Sequence, residues 1–257
     1  MSQLKDYQNK YKHIHFRRED GVLEMRFHTN GGSLQWGLEP HAELPDAFYD
    51  LGRDRENKVV IITGTGTEFS GPRVIPDNGN PLFATRPSAT FTENLVSESR
   101  RLLMNLMDIE VPIVSAVNGP AWRHSEMPLL ADIVLAADTA AFQDSAHFPG
   151  GLVPGDGVHV VYPMLLGVNR ARYFLLTGQV IHAAQAKELG LVAEVLPPDQ
   201  VLPRAWELAR MIAARPEVLV RHTRAILVES IKRQLQEYLP LGLYNECLGL
   251  MDRPEPK

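Results

Sequence analysis

Within Phe142 to Gly157, FQDSAHFPGGLVPGDG, a histidine, His147, and an acid, Asp156, stand on either side of a turn dense in glycine and proline. Neutral imidazole is the side chain best suited to take up a proton near pH 7. A carboxylate that holds its second nitrogen fixes the tautomer and stabilises the imidazolium. The pairing points to an activated water. The structural alternative makes His147 a surface-loop residue and Asp156 an N-cap for the helix beginning near Val158.

A second polar group follows the apolar run Pro112 to Asn118, in Gly119-Pro-Ala-Trp-Arg-His124-Ser-Glu126. Strand ends followed by helix starts are where α/β sheets place ligands, and helix N-termini offer free N–H groups to developing anions. His124 and Glu126 are therefore candidate pocket residues, with ordinary capping and solvent-facing roles as the alternative. Gly64-Thr-Gly66 also follows a strand, but no helix pattern succeeds it, and the dinucleotide reading fails. Neither G-x-S-x-G nor H-E-x-x-H occurs, so serine-hydrolase and zinc-protease readings lack their signatures. An iron site of His147, Asp156 and His159 needs a loop geometry that the sequence does not display, and no metal or cofactor is expected.

The elements that must position these groups read as α/β. Two alternating segments, His13 to Arg18 and Val22 to His28, flank Glu19-Asp20-Gly21 as a hairpin. Lys58 to Thr63, Pro112 to Asn118 and Asp132 to Asp138 are short apolar runs suited to strands buried on both faces. Helical patterns lie between them, at Glu39 to Arg53 and Phe91 to Asp108. Thr67 to Ser88, crowded with glycine and proline, reads as a long loop serving as lid or pocket wall. After Pro198 three helices are expected, Val201 to Ala214, Glu217 to Tyr238 and Leu241 to Met251, separated by Pro216 and Pro240. The organisation expected is a core domain over 1–198 and a helical region over 199–257.

The 257 residues carry 31 acidic against 26 basic side chains, a net charge of -5 with no basic run, which gives no electrostatic footprint for nucleic acid or anionic membrane. No signal-peptide core or membrane-spanning run is apparent, and the single Cys247 excludes an internal disulfide and a thiolate metal cage. A cytoplasmic protein acting on a small molecule is expected.

The order of TGTGTEFSG, VPIVSAVNGP, ADIVLAADTAAF, FPGGLVPGDG and YFLLTGQVIHAAQAKELGLVAEV resembles the crotonase (enoyl-CoA hydratase/isomerase) superfamily over nearly the whole chain. The resemblance implies a spiral core of ββα units and a C-terminal helical region that trimerises the protein, as a homotrimer or dimer of trimers. It also implies an oxyanion hole of two backbone N–H groups, from near Gly71 and Arg123. The chain departs from the hydratase pattern where WRHSE replaces a glycine-rich stretch ending in a glutamate, and where Ala146-His147 replaces a Pro-Glu pair.

Those departures are similar to the 6-oxocamphor hydrolase branch, the β-diketone hydrolases that cleave a carbon–carbon bond by a retro-Claisen reaction. The likeness implies a catalytic dyad at His147 and Asp156, a carbonyl-binding histidine at His124, an acidic residue at Glu246, and substrate contacts from Trp36 and His41 within SLQWGLEPHAEL. Two alternatives stand beside it. One is a hydratase or isomerase of CoA thioesters using Glu126 with His147; the other is a non-catalytic RNA-binding or scaffolding member of the superfamily.

Overall fold

A computed structural model describes residues 2–74 and 87–252. After a single turn, α1 (Leu4–Tyr7), the chain forms β1 (Ile14–Glu19) and β2 (Val22–Phe27). Asp20 and Gly21 both adopt positive φ, 50° and 84°, as a tight two-residue hairpin turn requires. Then follow α2 (Leu38–Gly52), β3 (Val59–Thr63), α3 (Ala89–Asp108), β4 (Ile113–Val117), α4 (Glu126–Leu129) and β5 (Ile133–Ala137). The remainder comprises β6 (Ala141–Phe142), α5 (Val158–Leu166), α6 (Val168–Thr177), β7 (Ile181–His182), α7 (Ala183–Glu188), β8 (Glu194–Leu196), α8 (Pro198–Ala213) and α9 (Glu217–Met251).

The main sheet runs β1-β2-β3-β4-β5-β8, parallel throughout except for β1 against β2. Every residue of β3 and β4 is buried, which is why both read as unbroken apolar runs rather than alternating ones. A second, nearly strandless layer joins successive turns of the chain. Gln35 bridges Gly71, Ser70 bridges Ala121, and Ala121 bridges Phe142, all parallel, before β6 pairs with β7. Each circuit thus contributes one strand to the main sheet and one bridge to the second layer, the spiral ββα arrangement of the crotonase fold. Single-residue bridges carry no periodicity, so this layer is invisible in the sequence pattern.

Gly119 makes the spiral close tightly: a Cβ there would collide with the backbone of Thr67. Asn118 completes the staple. Its Oδ1 accepts from Gly64 N–H at 3.0 Å and its Nδ2 donates to the carbonyls of Gly66 and Glu68.

Two features mark the C-terminal helices. First, α8 lies across β3, β4 and β5 with Val201, Ala205, Trp206 and Ala209 buried, and Trp206 Nε1 donates to buried Glu24 at 2.8 Å, so this part of the 199–257 helical region packs directly on the core sheet. Second, and contrary to expectation, Pro240 does not end a helix: α9 is continuous from Glu217 to Met251. Pro240 removes one donor, but Leu235, Leu239 and Leu243 keep one buried stripe in register through it, and packing outweighs the lost bond. Pro216, just outside the first turn, does separate α8 from α9. The apolar positions of α9 divide between faces, with Leu235 buried, Ile231 partly buried, and Leu219 and Ile226 exposed. Of the loop expected over 67–88, residues 75–86 lie outside the described residues.

Candidate active site

The second layer delivers the site. The carbonyl of Trp122 accepts from Ser145 N–H at 3.2 Å and Ser145 Oγ at 2.6 Å, which fixes the segment before His124 against the segment before His147. Just past this anchor His124 takes φ 45°, a left-handed conformation that costs a non-glycine residue of order 1 kcal/mol or more and persists only when its surroundings impose it. The turn directs the imidazole at Glu126, whose Oε1 lies 2.8 Å from His124 Nδ1.

His147 precedes a 3₁₀ turn, Phe148–Gly150, and its own carbonyl accepts from Leu152 N–H. Asp156 is followed by Gly157 at φ 119°, and a Cβ on Gly157 would strike Leu103. Gly157 occupies the N-cap position of α5 and no side chain caps that helix, so the capping role considered for Asp156 is not what the residue does. Glu246 arrives from α9 because two glycines let that helix touch the loop. A Cβ on Gly155 would collide with the Gly242 carbonyl and stand 2.7 Å from Glu246 Cβ, and a Cβ on Gly242 would strike the His159 ring.

One oxygen of Asp156, Oδ2, lies 3.3 Å from His147 Nε2 and 3.4 Å from His124 Nδ1. Glu246 Oε1 stands 3.6 Å from His147 Nε2. The other imidazole nitrogen, His147 Nδ1, meets Asp144 Oδ1 at 2.6 Å. The sequence pairing gave Asp156 the task of holding the nitrogen away from the reaction; in the structure Asp144 occupies that place and Asp156 shares the cavity side. Asp144 escaped the sequence reading, although its D-x-x-H spacing to His147 is the signal of a turn that can close such a bond.

These groups line a cavity with Trp36, His41, Arg123, Ala146, Leu152 and Leu250. The Trp36 ring lies 4.2 Å from the His124 ring, tilted by 40°. His41 stands edge-on to Trp36 and is held by Ser99 Oγ on Nε2 at 3.2 Å and by Glu98 on Nδ1 at 3.4 Å. Arg123 donates from Nε to the Pro72 carbonyl at 2.9 Å.

Two expected members stand elsewhere. Gly71 does not line the cavity, and its N–H donates to the Leu34 carbonyl at 2.8 Å while its carbonyl receives Trp36 N–H, so the bridged backbone has no free donor there for an oxyanion. Glu126 is fully buried behind His124 and meets its Nδ1 rather than the cavity.

Electrostatics follow from this crowding of acids. Burial disfavours a charged His147, but Asp156, Asp144 and Glu246 outweigh it and raise its pKa well above the usual imidazole value. His124 behaves alike: burial opposes its charge, and Asp156 and Glu126 prevail, so its pKa is raised. Burial would also raise the Asp156 carboxyl, yet the two imidazoles hold it below the ordinary carboxylate range. Glu126 is pushed up, chiefly by burial. Burial lowers the Arg123 guanidinium to about 10.

Two trios, His124 with Glu126 and Asp156, and His147 with Asp156 and Glu246, bring one ligand-type atom each within 4.8 Å, a donor set that a divalent ion accepts. His159 belongs to neither, because its Nε2 faces the Tyr238 carbonyl at 3.2 Å.

The fold and site define a class. Residues 17–245 match the enoyl-CoA hydratase/isomerase family, and the chain belongs to it, within the crotonase superfamily. Among solved structures it is similar to a β-diketone hydrolase, ABDH, from the cyanobacterium Anabaena sp. PCC 7120, bound to (S)-3-oxocyclohexyl acetic acid, at 44% identity and TM-score 0.91 over 96% of this chain and 97% of that one. It is also similar to a crotonyl-CoA hydratase of Syntrophomonas wolfei, 26% identical over 95% of this chain and 93% of the relative. A putative enoyl-CoA hydratase/isomerase of Bacillus subtilis is 31% identical over 77% of this chain and 75% of its own length.

Proposed function

We propose that this protein is a β-diketone hydrolase that opens a cyclic or bicyclic 1,3-diketone to a keto acid by retro-Claisen cleavage. The observation that carries the reading is the placement of two imidazoles on one apolar-walled cavity, either side of Asp156 Oδ2. A 1,3-diketone needs two such groups, one to take a proton from water and one to receive charge on the second carbonyl.

Water is a poor nucleophile, and His147 Nε2, the nitrogen on the cavity side, takes its proton as the oxygen adds to one carbonyl carbon. Asp156 and Glu246, both beside Nε2, orient that water. Collapse of the tetrahedral oxyanion breaks the bond to the carbon between the carbonyls, and the electron pair becomes an enolate on the second carbonyl. His124, with Nδ1 occupied by Glu126, turns its other ring nitrogen to that oxygen as its hydrogen-bond partner. The Trp36 indole beside it supplies a further donor. Preorganised donors in a site shielded from water contribute about 3 to 4 kcal/mol each. Return of the proton from His147 to carbon gives the keto acid.

The Anabaena relative supports this reading, since a cyclohexanone bearing an acetic acid arm is the kind of product formed when water opens a bicyclic 1,3-diketone. The hydratase relatives favour the other chemistry, and a direct comparison separates the two. Purified protein given a bicyclic 1,3-diketone without CoA should yield keto acid and should leave crotonyl-CoA unhydrated. Hydration of crotonyl-CoA with an untouched diketone would overturn the proposal.

A further inference from the structure

We infer that Asp144 is the positioning residue for His147, holding the imidazole in the tautomer that leaves Nε2 free to take the proton from water. This rests on the β-diketone hydrolase reading but assigns the orienting task to a different carboxylate than Asp156. Asp144 Oδ1 lies 2.6 Å from His147 Nδ1 and 3.4 Å from His147 N–H, so one oxygen grips both the ring and the backbone of the residue three positions on. Asp144 is buried, it stands on the segment anchored between Trp122 and the 3₁₀ turn, and it does not itself line the cavity. Asp156, by contrast, stands at Nε2 with Glu246, where an incoming water must also stand.

The chemistry of imidazole makes the two positions unequal. Neutral imidazole carries one proton, and the nitrogen bonded to a buried carboxylate keeps it. With Asp144 on Nδ1, that proton stays on Nδ1 and the lone pair faces the cavity. Were Asp156 the orienting acid, the proton would sit on Nε2 and no base would face the substrate. The charged groups around the ring are Asp144, Asp156 and Glu246, with His124 and Arg123 beyond them; removing Asp144 alone deletes both the tautomer lock and one source of the raised pKa.

Nitrogen-15 NMR of histidine-labelled protein tests this, with His147→Ala used to assign the signal. In wild-type protein at alkaline pH, neutral His147 should carry its proton on Nδ1, and a proton on Nε2 would overturn the inference whether or not the protein cleaves a diketone. The strongly hydrogen-bonded Nδ1 proton should vanish in Asp144→Asn and survive in Asp156→Asn; the reverse pattern would also overturn it. In kinetics, Asp144→Asn should lower kcat by about 10²- to 10⁴-fold, as loss of an orienting carboxylate does in other histidine-based sites. KM should stay within about threefold, and the acid limb of the pH profile should move to lower pH. Near-wild-type kcat with an unmoved limb in folded Asp144→Asn would contradict the assignment.

Discussion

The carboxylate of Asp156 meets His147 at Nε2, 3.3 Å away, on the side of the ring that faces the cavity rather than the side that faces the protein. An acid there cannot hold the tautomer that leaves Nε2 free for water. It acts on whatever shares Nε2 with it, and on the charge of His147 and His124 together.

His147→Ala and Asp156→Asn should therefore each reduce turnover of a 1,3-diketone by about 10²- to 10⁴-fold, the range that a general base contributes. The first deletes the proton acceptor. The second removes the anion between two imidazoles. Circular dichroism should show both variants folded, and near-wild-type turnover in either would count against the catalytic assignment.

The pH dependence has a definite direction. General-base action needs neutral His147, and three carboxylates raise its pKa above the ordinary value of about 6.5, so kcat/KM should climb with pH with its midpoint above 6.5. Stability should move the other way. A folded-state pKa above the unfolded one contributes stability that is fully present below about 6.5 and is lost as pH rises through the raised value. Activity and thermal stability measured across this window should trade against each other, and a kcat/KM limb below 6.5 would contradict the electrostatic account.

The contact between Gly155 and Gly242 carries Glu246 to the site, so Gly155→Ala should force α9 away from the loop. Overpacking of this kind costs about 1 to 3 kcal/mol. The variant should unfold at lower temperature and lose activity out of proportion to its folded fraction, because Glu246 moves with the helix. Unchanged kcat in the folded variant would mean that Glu246 has no part in turnover.

An exposed apolar face on α9, including Leu219, Ile226, Leu227, Leu241, Tyr244 and Leu248, is the expected trimer contact. Light scattering should give a trimer or a pair of trimers, and Ile226→Glu together with Leu227→Glu should shift it toward smaller species. A wild-type monomer would refute the assembly expected from the family likeness.

His147 and Asp156 were legible because their types and spacing fall within one segment, and the parallel strands because burial on both faces leaves unbroken apolar runs. Asp144 was not, since a D-x-x-H turn matters only once the ring's orientation is known. Trp36, His41 and Glu246 reach the cavity from distant segments, and only the family likeness pointed to them. The same likeness misled at Gly71, whose N–H is committed to a bridge that no residue pattern reveals. Pro240 misled for a different reason: propensity is local, whereas the leucine stripe that carries α9 through it is a tertiary property.

In the proposed reaction His147 directs water to one particular carbonyl while His124 and Trp36 receive the enolate at the other. A prochiral bicyclic diketone turned over in ¹⁸O-labelled water, with chiral chromatography and mass spectrometry of the keto acid, tests it most directly. The account predicts one solvent oxygen in the new carboxylate and one enantiomer in excess, since about 2.7 kcal/mol between competing transition states gives roughly a hundredfold preference. Unlabelled carboxylate would contradict attack by water, and racemic product would contradict the asymmetric site.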